Sequence, residues 1–235
     1  TVGRVRYDLG NEAYVGAMAF GRNLTDAHNY VVGFDWNYRF WDNWSFNGEG
    51  FLSNTKELSD TTLLTTTRTF GTTGHTARLD GEQYSGAGLH LVLSRSARNF
   101  GFDAVYNDFS PTYQTYNGLF TSTNYRQFYL QPRYTLYPTD SFFERVTLSI
   151  SGNLQYNHAG QRKEQSVQPS VNLRMKGQTY LYVSYVLVND ELFSGTSFSG
   201  IRRTFVELNS QMFDAVHFSV YGQIGKKLTL RPPET

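Results

Sequence analysis

Alternation of apolar and polar residues with period two runs through most of this chain, and helical spacing is scarce. The stretch from Tyr30 to Phe40 shows it best. Tyr30, Val32, Phe34, Trp36, Tyr38 and Phe40 fall on one side, and Val31, Gly33, Asp35, Asn37 and Arg39 on the other. Successive side chains of a strand point to opposite faces, so this spacing predicts a strand that is greasy on one face and polar on the other. Val146, Leu148, Ile150 and Leu154 alternate in the same way with Thr147, Ser149, Ser151 and Asn153. Val171 and Leu173 alternate with Ser170, Asn172 and Arg174, and Val216, Phe218, Val220 and Ile224 with His217, Ser219, Tyr221 and Gln223. Less regular alternation marks strands over 2–8, 11–22, 44–54, 84–94, 99–107, 125–137, 180–189 and 201–211.

These make about 12 strands, many of about 10 residues or more; soluble strands average about 5–6 residues, and a tilted membrane strand needs about 9–11. Strand length therefore discriminates better here than hydropathy. The connections alternate as well. Short ones lie at 9–11, 41–43, 95–98, 138–142, 176–178 and 212–214, and longer ones at 23–28, 55–83, 108–124, 157–161 and 190–200. Outer-membrane barrels sort short periplasmic turns from longer outer loops, and a soluble sandwich has no reason to. Phe40, Trp41 and Trp44 flank one short turn, and Tyr137, Phe142 and Phe143 another. Interfacial girdles need such rings; the alternative is a set of core aromatics next to turns. The fold expected is all-β: a transmembrane antiparallel β-barrel of the outer-membrane type. Residues 1–235 would form one barrel domain, part of a larger barrel.

Composition sharpens this picture. Aromatic residues make up 16% of the 235 residues and charged residues only 17%, against roughly 25% charged in ordinary globular domains. The net charge of +1 argues against a nucleic-acid partner. No run of about 18 apolar residues predicts a membrane helix. The absence of cysteine fits passage through an oxidising periplasm, a property many other proteins share. The chain opens on Thr1-Val2-Gly3 with no signal peptide, which points to a processed or trimmed chain. If the short turns are periplasmic, Thr1 starts on the outer side, and the residues from Leu228 to Thr235 are no closing aromatic strand. Both features lead to the expectation of further strands.

The order of features resembles a poorly characterised family of bacterial outer-membrane proteins. In that family a β-sandwich similar to carbohydrate-binding module family 9 precedes a C-terminal barrel of unknown function. The resemblance is carried by Gly3-Arg4-Val5-Arg6-Tyr7-Asp8-Leu9-Gly10, by Gly16-Ala17-Met18 before Gly21-Arg22, and by Asn29-Tyr30-Val31-Val32-Gly33-Phe34-Asp35. Tyr106-Asn107-Asp108-Phe109-Ser110-Pro111 and Leu228-Thr229-Leu230-Arg231-Pro232 complete it. The sandwich and the final strands of that family are absent from this chain. The resemblance implies location in the bacterial outer membrane, with its lipid and lipopolysaccharide as surroundings, and it supplies no catalytic residues.

Candidate chemistry is sparse. His217-Phe218-Ser219 has the spacing by which outer-membrane phospholipases and lipid A deacylases set a His to deprotonate a Ser. Those enzymes also need an Asn or Glu on a neighbouring strand, and residues 225–231 offer none. In those enzymes the pair faces lipid, and here it shares the polar face with Gln223. Loop 55–83 holds His75, Arg78, Asp80 and Glu82 without metal-ligand spacing, and a solvated loop is expected. His28, His90 and His158 are isolated and read as structural. No catalytic residue, cofactor or metal is therefore assigned. The polar faces instead nominate a lumen lining of Asp35, Asn37, Arg39, Glu49, Asp103, Arg133, Asn153, Asn172 and Arg174. Its mixed charge suits an open porin-like pore, or a lumen closed by ion pairs or a plug. Two functional classes follow: a channel for solutes, with saccharides suggested by the resembled family, or an anchor that holds a binding module or partner protein at the membrane. A lipid-hydrolysing enzyme is the third and least favoured.

Overall fold

The computed structural model describes residues 1–64, 66–116, 122–193, 195–213 and 215–226. Its first strands are β1 (Val2–Gly10), β2 (Ala13–Leu24), β3 (Ala27–Phe40), β4 (Trp44–Lys56), β5 (Gln83–Ser96), β6 (Phe100–Phe109) and β7 (Tyr125–Leu136). They are followed by β8 (Phe143–Tyr156), β9 (Arg162–Met175), β10 (Thr179–Val186), β11 (Val188–Phe193), β12 (Thr196–Phe198), β13 (Arg203–Phe213) and β14 (Val216–Gly225). All 14 belong to one antiparallel sheet, ordered by sequence from β1 to β10 and then β13 and β14. There is no helix among the described residues. Nor does any described strand pair with the outer edge of β1 or of β14, so the sheet is not closed.

The twelve segments expected from alternation are the twelve along this path. Two differences stand out: the connection at 23–28, expected among the longer ones, is a two-residue turn between Leu24 and Ala27, and strands form at 188–198, where most of the stretch is predicted as loop. β9 is longer than β10, and β11 takes the free edge that remains, pairing Val188 with Val167 and Glu191 with Glu164. The strand expected over 180–189 is thus interrupted at Leu187 and resumes on the same neighbour, with β12 folding back on β11. The short turns have a local cause. Asn11 and Glu12, between β1 and β2, both have positive φ (49° and 59°). Two such residues make the primed turn whose twist matches a hairpin. The turn expected at 212–214 includes Asp214, which lies outside the described residues, as do 117–121 of the 108–124 loop and the motif at 228–232.

The chain divides into two compact units. The first comprises 1–95, 104–128 and 155–161, and the second the remainder. Each has the two-faced strands that alternation predicts, with large apolar side chains exposed on one face and polar side chains gathered on the other. In the first unit, Tyr30, Val32 and Phe34 of β3 are 44–54% exposed, while Asn29, Val31 and Asp35 are at most 2% exposed. In the second, Leu148 and Ile150 of β8 are each 45% exposed. On their other face, Ser149 Oγ lies 2.7 Å from Ser170 Oγ of β9, and Thr147 Oγ1 3.1 Å from Thr135 Oγ1 of β7. Hydrogen bonds therefore knit the polar face across strands, and the large apolar side chains are exposed on the opposite face.

Candidate functional site

In the first unit the polar face carries a row of paired groups. Register sets Arg6, Gly16, Asp35, Glu49 and His90 side by side across β1 to β5. Arg4 of β1 reaches over β2 to Asp35 on β3, with Nη2 2.7 Å from Oδ2. Gly16 permits this, because a Cβ there would lie 2.5 Å from Asp35 Oδ1. The row continues through His90, whose Nδ1 is 2.6 Å from Asn107 Oδ1, and Asn107 Nδ2 donates to Gln127 Oε1 at 3.0 Å. Nearer the β1–β2 turn, Asn37 Nδ2 donates to the Glu12 carbonyl at 2.7 Å, and Arg39 pairs with the Glu12 carboxylate at 2.6 Å. Glu49 is exposed beside the buried Asp35.

At the other end of this face, the segment after β6 lies flat on β3, β4 and β5. Thr112 Oγ1 donates to the Ser85 carbonyl at 2.6 Å, and the Gln114 amide to Ser53 Oγ at 3.3 Å. Asn29 clasps the segment: its Oδ1 accepts from the Tyr116 amide at 3.0 Å, and its Nδ2 donates to the Gln114 carbonyl at 3.1 Å and to Thr55 Oγ1 at 2.8 Å. Gly86 makes the approach possible, since a Cβ there would meet the Cα and N of Tyr113 at 2.3 Å. A bare strip on a strand of this kind is where another backbone can lie close. The Tyr113 ring of the segment packs at a tilt against Phe109, with centroids 5.6 Å apart, and both are buried. Much of the small buried core of the first unit lies here, under a loop and not between two sheets.

Loop 57–82 closes the same end. Ser59 bridges Asp80 and Thr69 bridges Thr76. Glu57 is buried and accepts from Tyr84 Oη at 2.7 Å, while its other oxygen has no partner among the described residues. Burial raises its pKa, and the charges of Asp80 and Glu82 add to the effect. Burial likewise pushes the Tyr113 phenol up to about 12, with the Glu49 charge contributing. His75 contacts Glu82 at 3.1 Å and Thr76 Oγ1 donates to Asp80 at 3.4 Å, so His75, Asp80 and Glu82 of the side chains nominated in this loop tie it together. Among the described residues, no group of three His, Asp or Glu side chains could hold a metal. His28 lies 3.0 Å from Asn54 Oδ1, and His158 2.9 Å from Asp108 Oδ1.

In the second unit, Arg133 pairs with Asp103 and also donates to Ser96 Oγ at 3.4 Å. Arg174 is 3.5 Å from Glu144, Asn172 Nδ2 donates to Tyr180 Oη at 3.0 Å, and Asn153 shares the face of Ser149 and Ser151 on β8. The nominated lining residues thus form two groups: Asp35, Asn37, Arg39 and Glu49 in the first unit, and Asp103, Arg133, Asn153, Asn172 and Arg174 in the second. Ser219 of the His217–Ser219 pair sits opposite Asn209, whose Nδ2 donates to Glu207 at 2.7 Å.

No family model, no curated protein and no solved structure matches this chain.

Alternation alone did not reveal Asn29, Ser53, Thr55 and Ser110–Tyr116 as a unit. A signal was present in Ser85-Gly86-Ala87-Gly88, where two glycines two apart clear one face of a strand.

Proposed function

We propose that the chain is the wall of an outer-membrane β-barrel, its apolar face in lipid and its polar face lining a passage for small hydrophilic solutes. The observation that carries this is the inverted burial. On the interior strands β3 and β4, Val32 is 54% and Leu52 62% exposed, whereas Asn29 and Thr55 are wholly buried and Asp35 is 2% exposed. Large apolar patches on a soluble monomer are costly, and in a bilayer the same side chains are at home. Strands of up to 14 residues have the reach to cross it. Aromatic and cationic side chains meet near the short turns, as an interfacial belt requires: Arg95 over Trp44, and Arg98 over Tyr137. Closure of the sheet, on itself or with further strands, belongs to this proposal because lipid does not tolerate unpaired strand edges. The resemblance to the outer-membrane family with a carbohydrate-binding-like sandwich agrees with it.

One observation favours a second reading, the anchor. The segment 111–116 occupies the polar face of the first unit, and a sufficiently filled interior would conduct nothing. Planar-bilayer conductance of the reconstituted protein separates the two. Passage predicts discrete conductance whose ion selectivity shifts in Asp35→Ala or Arg39→Ala. Folded protein that does not conduct would retire passage in favour of anchoring, and lipid hydrolysis lost in Ser219→Ala would overturn both.

A further inference from the structure

The polar face of the second unit carries one cluster of packed aromatic rings. Along β9, β10, β13 and β14 this face carries mainly Gln, Ser, Asn, Glu and Arg, yet Tyr182, Phe205 and Tyr221 stand together on it. The Tyr182 and Phe205 centroids are 5.7 Å apart, and those of Phe205 and Tyr221 4.9 Å, both edge to face. Phe205 lies in register between Ser184 and Gln223, so an aromatic ring is set between two hydrogen-bonding side chains. A trough of about 260 Å³ opens beside Tyr182 and Phe205, lined also by Gln168, Ser184, Val186, Arg203 and Gln223, while Tyr221 backs Phe205 from outside the lining. Gln168 is held in place by a 2.9 Å hydrogen bond from its Nε2 to Ser184 Oγ, which leaves its carbonyl oxygen to accept.

Each kind of ligand can be set against this lining. An apolar ligand would strand the amides and the guanidinium, since buried polar groups without partners are costly. An anion would find one arginine but no second cation in the trough, and Glu207 stands on the same face between Tyr182 and Tyr221. A pyranose ring suits both features. Its axial C–H bonds form an apolar patch that can lie on the electron-rich face of an aromatic ring. Its hydroxyls both donate and accept, as do the Gln168 and Gln223 amides and the Ser184 hydroxyl, while Arg203 donates. The volume is below that of sites for drug-sized ligands, about 300–1,000 Å³, and accommodates roughly one sugar ring at a time.

We propose that Tyr182 and Phe205, the latter backed by Tyr221, form with Gln168, Gln223 and Arg203 a subsite that binds one neutral pyranose unit of a saccharide. The proposal rests on the polar face being the water-filled side. It deepens the passage reading by naming the class of solute.

The test is calorimetric titration of the full chain, folded in detergent, with maltohexaose, cellohexaose and xylohexaose. Sorbitol is the control: an acyclic polyol with hydroxyls but no ring to stack. Saturable binding of at least one hexasaccharide and none of sorbitol is expected. Phe205→Ala and Gln223→Ala should each weaken binding about tenfold or more, and Phe205→Tyr should retain it. Folding of every variant is checked by its resistance to unfolding on an unheated gel. The subsite is overturned if no hexasaccharide binds the folded protein, if sorbitol binds equally, or if Phe205→Ala binds like the parent. Conductance is measured on the same preparations. Binding without conductance keeps the subsite and retires passage; conductance without binding does the reverse.

Discussion

Gly86→Ala is a single-methyl perturbation aimed at the segment that lies across the polar face. Gly86 is absent from the residues with positive φ, so alanine meets no backbone strain and contact alone is tested. The new methyl would sit 2.3 Å from the Cα and N of Tyr113 and 2.6 Å from the carbonyl carbon of Thr112. These are backbone atoms, so no rotamer change relieves the clash. If the segment lifts, it loses the bonds of Thr112 to Ser85, Gln114 to Ser53, and Tyr116 and Gln114 to Asn29. At roughly 0.5–1.5 kcal/mol each, these four come to about 2–6 kcal/mol. Exposing Tyr113, now 4% exposed, adds about 1.5–3 kcal/mol. If β5 yields instead, the cost falls to the ~1–3 kcal/mol typical of overpacking. A docking loss of even ~3 kcal/mol raises the undocked fraction about a hundredfold. Chymotrypsin should therefore cut after Tyr113 or Tyr116 much faster in Gly86→Ala than in the parent, and single-channel conductance should rise if the segment narrows the passage. Gly50→Ala is the control, because its nearest contact would be Leu89 Cδ1 at an ordinary 3.9 Å. Equal cleavage of the parent and both variants would refute the close packing on which the reasoning depends.

Ile150→Arg should cost about 2–4 kcal/mol in a lipid-folding titration if Ile150 lies near the bilayer midplane, and Ser149→Arg much less; the reverse order would mean the faces are inverted. Asp35 is buried against Arg4, so Arg4→Ala should destabilise the fold more than the double variant Arg4→Ala with Asp35→Asn, which leaves no unpaired carboxylate; urea titration at neutral pH reads the difference. Burial holds the folded-state pKa of Glu57 above the ordinary carboxylate range. Its neutral form is therefore the one the fold prefers, and its contribution is present below the unfolded pKa and lost as pH rises through the folded one. Protease resistance of loop 57–82 should fall as pH rises through that window in the parent, and Glu57→Gln should remove the dependence; an unchanged profile in Glu57→Gln would place the titration elsewhere.

The sheet was legible because period two is a strong signal over strands of 10 to 14 residues, and one apolar face fixes which residues share a side. The break at Leu187 was not legible. It depends on how much of β9 is left uncovered by β10, a matter of pairing between distant segments. The segment 111–116 was hidden for a similar reason. Its partners are the Asn29 and Ser53 side chains and the Ser85 backbone carbonyl, from three strands; polar side chains on a polar face look alike until something binds them, and a carbonyl leaves no mark in the sequence. The nominated lining residues all carry polar side chains on alternating strands, but the sequence does not pair them. The reach of Arg4 over Gly16 to Asp35 required the register of three strands at once. The aromatic cluster at Phe205 was masked in the same way, because Tyr182, Phe205 and Tyr221 become neighbours only through pairing of β10, β13 and β14.

The central claim is that the apolar face meets lipid and the polar face meets water. The chain contains no cysteine, so single-cysteine variants at 146–151 of β8 need no prior removal of thiols. Each would carry a nitroxide, and the reconstituted protein would be probed with oxygen, which concentrates in the bilayer, and with a water-soluble nickel chelate. The labels at Val146, Leu148 and Ile150 should be relaxed by oxygen, and those at Thr147, Ser149 and Ser151 by the chelate, in strict alternation. Chelate access at all six positions, or alternation in the opposite phase, would contradict the account.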